Sequence, residues 1–402
     1  MPRDNWTRPV YTIKLSERYT DIGPEKLRIE QGRIVEVIHA GQIDGTPEFF
    51  VTPGFINCHV HWGMPGGRTL EDIMTFVTGP KSEQEEVIRE NTLRSLKVGI
   101  TTVCDKGPAI AGPDAPWVYR AIKDLERVGS APRTFFSAWT VGTYGSFAQH
   151  ACRKVTTERE ADELIADSQR VGATVIKIIP EWGYPDYRLV FRKQLFRYLV
   201  IKAHGRGFLI SAHAKGCEAI LAALVNGADC IDHGIQIKDI DYRVMEKNFR
   251  YMQQAGIFFA PTLEGLLCRY EGALVNGDGA EDSSYEWNAA VLTFRKVAQK
   301  LAENILFASD AGSEYTPHGS LRELYLMRSL GLGTATIFRA ATSNGARFLR
   351  RGSQLGALKE NYFADMIFWF KNPLELSLQE WEHLEKYIAG VMINGNLVAD
   401  HI

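Results

Sequence analysis

Two histidines near the start of the chain have the spacing of metal ligands on a strand. His59 and His61 are two residues apart in FINCHVH, and side chains on a β-strand alternate between its two faces. The two imidazoles therefore point to the same side, where they can chelate one cation, because neutral histidine nitrogen is a preferred ligand for zinc. Taken alone, this spacing is equally typical of a structural pair of histidines.

Four further residues of ligand type lie within or at the ends of other apolar runs. They are Lys177 in TVIKII, His213 in FLISAH, His233 in DCIDH and Asp310 in ILFASD. A lysine inside an apolar run is costly, because burial disfavours the ammonium and lowers its pKa. Any one of the four could be structural. Together with the two histidines they indicate a metal site.

The apolar runs that carry these residues predict strands that alternate with helices. The eight runs are FVTPGFINCHVHW, GITTVCDKG, RTFFSAWTVG, ATVIKII, FLISAHA, DCIDHG, FFAPTL and ILFASDAG. The seven gaps between them are long enough for crossover helices. Residues 53–350 are therefore predicted to form a (β/α)8 TIM barrel, whose active site would lie at the carboxyl ends of the strands. A doubly wound open sheet is the rival, but no GxGxxG loop follows any run.

Short local patterns predict where helices begin and end. Two segments are typical of capping boxes, Ser82-x-x-Glu85 and Thr157-x-x-Glu160. Gly99 and Gly172 stand where the two corresponding helices should stop.

Both ends of the chain are β-rich. Short apolar and polar stretches alternate there, and Gly32-Arg33 and Asn394-Gly395 indicate hairpin turns. Residues 1–52 and 351–402 are therefore predicted to form one small β-sandwich domain from the two termini.

Composition is that of an ordinary globular protein. Of 402 residues, 45% are apolar and 23% charged, with a formal net charge of −2. Lysine and arginine are dispersed, and no apolar run approaches the ~18 residues that span a bilayer. The first residues lack the apolar core of a secretion signal, and the six cysteines are scattered. These features predict a cytoplasmic protein with no nucleic-acid or membrane partner, so the ligand of the predicted metal site would be a small-molecule substrate. They are compatible with a homo-oligomer.

Several motifs resemble the amidohydrolase superfamily, in its prolidase and imidazolonepropionase-like branch. The segment PGFINCHVH at residues 53–61 is similar to the first-strand signature of that superfamily. The other similar segments are GITTV at 99–103, VIKI at 175–178, SAHA at 211–214, IDHG at 231–234, SDAGS at 309–313, HG at 318–319, ATSNGA at 341–346, AD at 364–365 and NPL at 372–374. The resemblance runs from about residue 27 to the end.

The resemblance implies a binuclear metal-dependent hydrolase that cleaves an amide or related C–N bond. His59 and His61 would bind one divalent ion with Asp310, and His213 and His233 would bind a second. Lys177 would be carboxylated by CO2, and its carbamate would bridge the two ions, expected to be zinc. The ions would lower the pKa of a shared water to give hydroxide near neutral pH. Asp310 would orient that water and transfer its proton.

Other residues are expected near the mouth of the barrel. Trp182 and Tyr184 would form an apolar wall, and His318 would contact the substrate from the last loop. Members of the branch often carry a histidine where this chain has Tyr144, and a tyrosine or a histidine where it has Lys215. These two departures put the choice of substrate in doubt, although phenol and ammonium can both donate hydrogen bonds to the substrate carbonyl.

Two rival functions remain at this stage. A mononuclear cyclic-amide hydrolase or deaminase on the same fold commonly lacks the fourth-strand lysine and uses a glutamate after the fifth-strand histidine. Here Lys177 is present, and HAKGCEA offers only Glu218. A catalytically inactive scaffold is the other rival, but such proteins usually lose metal ligands.

Overall fold

The computed structural model contains two separate sheets, one from the ends of the chain and one from its middle. The structure describes residues 10–15, 20–39, 48–109, 112, 114–183, 186–237, 242–277 and 279–400. The strands of the terminal sheet are β1 (Val10–Leu15), β2 (Thr20–Glu30), β3 (Arg33–His39), β4 (Phe49–Pro53), β13 (Met366–Trp369), β14 (Ile388–Ile393) and β15 (Asn396–Asp400). The strands of the central sheet are β5 (Phe55–Val60), β6 (Ile100–Asp105), β7 (Arg133–Gly142), β8 (Arg153–Lys154), β9 (Val175–Ile178), β10 (Leu209–Gly216), β11 (Cys230–Ile237) and β12 (Phe258–Ala260).

Helices connect the strands of the central sheet and follow its last segment. They are α1 (Leu70–Thr78), α2 (Lys81–Lys97), α3 (Trp117–Arg127), α4 (Glu158–Arg170), α5 (Lys193–His204), α6 (Cys217–Asn226), α7 (Tyr242–Ala255), α8 (Leu263–Asn276), α9 (Ala280–Val297), α10 (Arg322–Ser329), α11 (Thr334–Ala340), α12 (Ser343–Phe348) and α13 (Leu378–Trp381), with a 3₁₀ turn at Leu384–Tyr387.

The terminal sheet is one mixed sheet in the order β15-β14-β13-β4-β1-β2-β3. Its neighbouring strands are antiparallel except for the parallel pair β1 and β4. The sheet curls so that the turn between β2 and β3 approaches the turn between β14 and β15. A Cβ atom placed on Gly32 would lie 3.0 Å from the carbonyl oxygen of Asn394. The expected sandwich is therefore a single curled sheet, with apolar side chains such as Leu27, Val51 and Met366 in one buried cluster.

The hairpin turns follow the conformational rule for tight turns. Asn394 and Gly395 have φ values of 48° and 75°, and Gln31 and Gly32 have 48° and 77°. Positive φ at both central residues is typical of a two-residue type I′ turn. The prediction at Asn394-Gly395 is confirmed. The first turn lies one residue earlier than predicted, since Arg33 already begins β3.

The central sheet is a parallel, nearly closed barrel in the order β12-β11-β10-β9-β7-β6-β5, and the short β8 pairs with β7. Residues 305–311, here called the closing segment, lie between β12 and β5. The backbone N–H of Leu306 donates to the carbonyl oxygen of Phe259 (2.9 Å), and the backbone N–H of Asp310 donates to the carbonyl oxygen of His59 (3.0 Å). Seven of the eight predicted runs are strands in the described residues. The eighth, the closing segment, is joined to its neighbours by isolated β-bridges and single backbone hydrogen bonds. A φ of 62° at Asp310 interrupts its extended backbone.

The domain boundaries at 52/53 and 350/351 stay a prediction. None of the helices in the described ranges is long and apolar enough to cross a membrane. All six cysteines lie in those ranges and are free thiols. The cytoplasmic address also stays a prediction.

One of the two predicted capping boxes is present. The Thr157 hydroxyl accepts from the backbone N–H of Glu160 (3.2 Å), and the Glu160 carboxylate accepts from the N–H of Thr157 (3.0 Å). Helix α2 instead begins before Ser82, with Pro80 at its N-cap and no side-chain cap bond, so that prediction is wrong. Gly99 and Gly172 follow the two helix ends as predicted, with φ of 82° and 76°.

These helix starts give a matched pair of stability tests. Thr157→Ala should lower the free energy of unfolding by about 1 kcal/mol, because it removes an N-cap hydrogen bond. Ser82→Ala should change it by less than about 0.5 kcal/mol, because Ser82 is exposed and caps nothing. Urea unfolding of both variants checks this, and equal losses would contradict the assigned caps.

Candidate metal centre and substrate pocket

The carboxyl ends of the barrel strands bring the six predicted ligands to one mouth. They are His59 in β5, His61 just after it, Lys177 in β9, His213 in β10, His233 in β11 and Asp310 in the closing segment. Side-chain contacts join five of them directly, and Lys177 is joined to them through the carboxylate of Asp232.

The tightest group consists of His59, His61 and Asp310. Asp310 Oδ1 lies 3.1 Å from His59 Nε2 and 3.2 Å from His61 Nε2. One potential ligand atom from each residue lies within 4.8 Å of the others, so the group could hold a metal ion. Nδ1 of His61 is 2.9 Å from the carbonyl oxygen of Gly107, a contact that orients the ring and directs Nε2 to the site. Although burial opposes ionisation, His59 and His61 hold the pKa of Asp310 well below its usual value.

The second pair of histidines is held as neutral rings. The ring centroids of His213 and His233 are 4.4 Å apart, and the His233 ring is 5.3 Å from that of His59. Burial lowers the pKa of both well below the usual value, and in His213 the neighbouring His233 adds to the effect. Neutral imidazole is the form that binds metals.

A neighbouring threonine fixes which nitrogen of His233 carries the proton. The Thr262 hydroxyl donates to the carbonyl of Pro261 (2.8 Å), so at 2.7 Å it can only accept from Nδ1–H of His233. Nε2 of His233 is then unprotonated and available as a ligand.

Unusual backbone conformations turn two of the ligands into the barrel. In a regular strand Asp232 and His233 would lie on opposite faces, yet both contact His59. The φ of 69° at His233 explains why both side chains face the site. In the same way, the φ of 62° at Asp310 lets its side chain reach the site although the neighbouring Ser309 also faces inward, toward Asn57. Left-handed backbone at non-glycine residues is costly and concentrates at functional sites. His233 and Asp310 therefore have strained backbone conformations, which the surrounding structure must stabilise.

An amide fastens the first strand to the closing segment. Asn57 Nδ2 donates to the Ser309 hydroxyl (2.7 Å), and Asn57 Oδ1 accepts from the backbone N–H groups of His59 and Ser309 (both 3.2 Å). These bonds fix the histidine pair relative to Asp310.

Beneath the site, a buried carboxylate connects two lysines. Asp232 accepts hydrogen bonds from Lys177 Nζ and from the Ser211 hydroxyl (2.6 Å), and its Oδ1 is 3.3 Å from His59 Nδ1. Lys106, which is completely buried, donates to the Ser211 hydroxyl (2.8 Å) and lies 3.5 Å from Asp232. Asp232 thus lies within ion-pair distance of His59 and balances the charge of both ammonium groups.

The two lysines differ in how firmly they hold a proton. Burial lowers the pKa of Lys177, and the nearby charge of Lys106 lowers it further. Burial also acts against the ammonium of Lys106, but the Asp232 carboxylate raises the pKa of Lys106 above its ordinary value. Lys177 is therefore the one that more readily becomes a neutral amine.

Lys106 and Asp232 were not among the predicted site residues. The signal for Lys106 was similar to the one used for Lys177, because Lys106 lies near the end of the apolar run GITTVCDKG. The signal for Asp232 was hidden, because strand alternation assigns it to the face opposite His233.

A cavity of about 370 Å³ opens beside His213. Its aromatic walls include Phe147, which stacks on the His213 ring at 5.3 Å, together with Trp182 and Tyr187. Its charged groups include Lys215, Arg269 and Glu286.

The end of β10 is fixed by a buried carboxylate. Glu181 accepts from the backbone N–H groups of Lys215 (2.6 Å) and Gly216 (2.9 Å). Burial raises the pKa of Glu181 to about 8. As expected from strand parity, Lys215 faces the same cavity as His213.

The other predicted substrate residues lie in different places. Trp182 lines the cavity, and Tyr184 lies outside the described residues. His318 is buried, stacks on Trp62 at 5.0 Å, and bonds to the carbonyl of Met64 (3.0 Å). Burial lowers its pKa to about 4. These contacts hold the loop that follows His61, and substrate contact by His318 stays a prediction.

Tyr144 lies at the surface of the protein, and its contact with the substrate stays a prediction. Its side chain is 69% exposed, and the Lys154 ammonium lies 4.7 Å from its ring centroid. The loop turns at this point, because the Ser146 hydroxyl donates to the carbonyl of Ile179 (2.7 Å). The turn places Phe147 in the cavity.

Comparisons with known proteins agree with this architecture. The family model described as the amidohydrolase family matches residues 50–398. Ochratoxinase from Aspergillus niger is 24% identical over 357 residues, covering 80% of this chain and 70% of that protein. Imidazolonepropionase from Vibrio cholerae serotype O1 is 24% identical over 406 residues, covering 89% of each. The solved structure of a prolidase complexed with N-methylphosphonate-L-proline has a TM-score of 0.81 at 22% identity, covering 98% of this chain and 99% of that one.

The structural likeness shows a shared fold, and the family match extends over most of the chain. The chain therefore belongs to the amidohydrolase family of hydrolases that act on carbon–nitrogen bonds, and it is similar to members of the prolidase and imidazolonepropionase-like branch.

Proposed function

We propose that the protein is a binuclear metal-dependent hydrolase that cleaves an amide or related C–N bond in a small molecule. The substrate classes considered are N-acyl amino acids, dipeptide-like compounds and aryl amides. The observation that carries the proposal is the convergence of four imidazoles, Asp310 and a buried lysine at one barrel mouth.

The residues present fit two divalent ions, for which we propose zinc. His59, His61 and Asp310 would hold the first, and His213 and His233 the second. His233 supports this assignment, because its Nε2 carries no proton when Nδ1 donates to Thr262. Imidazole and carboxylate are the donor groups that zinc prefers.

Lys177 would supply the bridge between the ions as a carbamate. A neutral amine is the form that reacts with CO2, and burial favours that form at Lys177. In the structure Lys177 forms an ion pair with Asp232, and this ion pair must be given up when the lysine becomes an anion. Lys106 would then remain to balance Asp232.

When bound, the metals would lower the pKa of a water molecule and polarise the scissile carbonyl. The chain itself would move the proton. Asp310 lies between His59 and His61, and its low pKa keeps it an unprotonated carboxylate near neutral pH. In this form it would hold the proton of the attacking water only transiently. It would then pass that proton to the leaving nitrogen.

The cavity beside His213 supports a substrate with an aromatic or apolar part. Phe147, Trp182 and Tyr187 line it, and aromatic side chains favour such groups. The ammonium of Lys215 is already bonded to Glu286, so polarisation of the substrate carbonyl by Lys215 or Tyr144 stays a prediction.

A mononuclear cyclic-amide hydrolase or deaminase on the same fold is the alternative. It is favoured by the compactness of the His59, His61 and Asp310 group, which could hold a single ion. In that case Lys177 would remain an ammonium paired with Asp232, as it is in the structure.

A hydrolysis screen with and without metal tests the proposal. Enzyme freed of metal with a chelator should be inactive on aryl amides, N-acyl amino acids, dipeptides, carbamates and lactams. Zinc should restore C–N bond cleavage on at least one class. Hydrolysis that is unaffected by metal removal would contradict the proposal, and release of ammonia from an amidine-type ring would favour the deaminase.

Lys106→Met tests the proposed charge balance below the site. Without the Lys106 ammonium, Asp232 should retain Lys177 as its remaining cation and oppose carbamate formation. Metal affinity should fall by about 10–100-fold, as is usual when a group supporting the ligands is lost. Competition with a chromogenic chelator measures it. Lys123→Met, which removes a half-exposed ammonium paired with Glu126, serves as the control, and equal affinities in the two variants would contradict the assigned role.

A further inference from the structure

One wall of the cavity contains a carboxylate surrounded by donors of the chain itself. Both oxygens of Glu286 accept from Lys215 Nζ, at 2.9 and 2.8 Å. The Tyr187 hydroxyl donates to the same carboxylate (2.6 Å), and Arg269 Nη1 lies 3.3 Å from it. The Glu286 and Lys215 side chains are almost fully buried, with 5% and 7% exposed.

The four groups come from separate parts of the barrel rim. Lys215 ends β10, Tyr187 lies in the loop after β9, Arg269 is in α8, and Glu286 is in α9. Lys215, Tyr187 and Arg269 together form a site that binds a carboxylate, because all three direct hydrogen-bond donors to one point. The carboxylate that occupies this site is the protein's own Glu286.

This internal pairing determines the charge that a substrate meets. Lys215 and Arg269 are the cations of the charged group, and both already contact the Glu286 carboxylate. Arg269 Nε also lies 3.7 Å from the Glu314 carboxylate. The cavity is additionally lined by Asp282. A substrate carboxylate placed here would have to displace Glu286, and separating a buried, hydrogen-bonded ion pair is strongly unfavourable.

We propose that Glu286 is a specificity-determining residue, which occupies the carboxylate site beside the metal centre and restricts the enzyme to substrates that are uncharged at this end. This inference rests on the proposed hydrolysis of C–N bonds and narrows its substrates. Neutral aryl or arylalkyl amides fit the aromatic walls of Phe147 and Trp182. N-acyl amino acids and dipeptides with a free carboxylate at this end are excluded.

A matched pair of ligands tests the inference directly. N-acetylphenethylamine and N-acetyl-L-phenylalanine share the same acyl group, nitrogen and ring, and differ by one carboxylate. Calorimetric titration of the metal-loaded enzyme should show the neutral compound binding at least ten-fold more tightly. Glu286→Gln retains the shape of the side chain but leaves Lys215 and Arg269 without this carboxylate. It should therefore reverse the preference and bind the acid at least ten-fold more tightly than the wild-type protein does.

Two further variants separate the site from general electrostatics. Asp282→Asn removes one negative charge from the same cavity but leaves Glu286 paired with Lys215, so it should shift the preference for the neutral compound much less than Glu286→Gln does. Glu286→Gln combined with Lys215→Met should lose most of the gained binding of the acid, because Lys215 is gone and the remaining cation, Arg269, still lies beside Glu314. The double variant also replaces a buried pair by neutral side chains, so it retains a test if the single variant folds poorly.

The outcomes distinguish this inference from the proposed function. Wild-type protein that binds the acid at least as well as the neutral compound overturns the inference, as does an equal gain in Glu286→Gln and Asp282→Asn. Failure of every variant to bind either compound also overturns it, because the cavity is then not the substrate site. Binding that follows the expected pattern without any metal-dependent hydrolysis would support the inference and count against the proposed function.

Discussion

Replacing Lys177 with alanine should reduce turnover by on the order of 10³-fold or more, equivalent to about 4 kcal/mol of lost transition-state stabilisation. The lysine is buried at the base of the mouth and is the proposed bridge between the two ions. Alanine cannot form a carbamate, so the second ion should be lost together with the activity. Steady-state kinetics and elemental analysis of the same preparation measure both effects.

Short carboxylic acids provide the control for Lys177→Ala. Acetate or propionate could enter the space left by the side chain and supply two oxygens in place of the carbamate. Partial recovery of both metal content and turnover is expected, whereas Lys177→Met should resist rescue, because its side chain still fills the space. An alanine variant with wild-type turnover would make the lysine structural and favour the mononuclear alternative.

Asp310→Asn should lower turnover by about 10²–10⁴-fold, the usual contribution of general acid–base catalysis. The amide retains the size of the side chain and can still act as a weak ligand between His59 and His61. It cannot accept the proton that hydrolysis must transfer to the leaving nitrogen. Turnover at saturating substrate, measured on protein with its full metal content, isolates this loss.

Substrates with better leaving groups give the control for Asp310. An activated anilide needs less protonation of its nitrogen, so the deficit of Asp310→Asn should shrink with such a substrate. Near-normal turnover on an ordinary amide with both ions bound would assign the proton transfer to another residue.

The parts of the fold set by local rules were predictable. The spacing of His59 and His61 places them on one side of a strand, and the capping box at Thr157 and the turn at Asn394 depend on neighbours within three residues. Such features follow from backbone geometry that the local sequence specifies.

The features that were not predicted depend on backbone exceptions or distant partners. The alternation of side chains along a strand assigns Asp232 and His233 to opposite faces. The φ of 69° at His233 breaks this alternation, so both side chains face the site. Glu286 lies 71 residues from Lys215 along the chain and reaches it only through the packing of α9 on the rim. The turn at Ser146, which places Phe147 in the cavity, depends on a hydrogen bond to Ile179, 33 residues further along the chain.

The central claim is that this mouth holds two ions. Metal-free protein should be titrated with zinc while bound metal is measured by elemental analysis and turnover is recorded at each addition. We expect turnover to reach its maximum only when two equivalents are bound per chain, because the His213 and His233 pair must be filled as well as the group at Asp310. Full turnover with a single tightly bound equivalent would contradict the binuclear centre and the bridging role of Lys177.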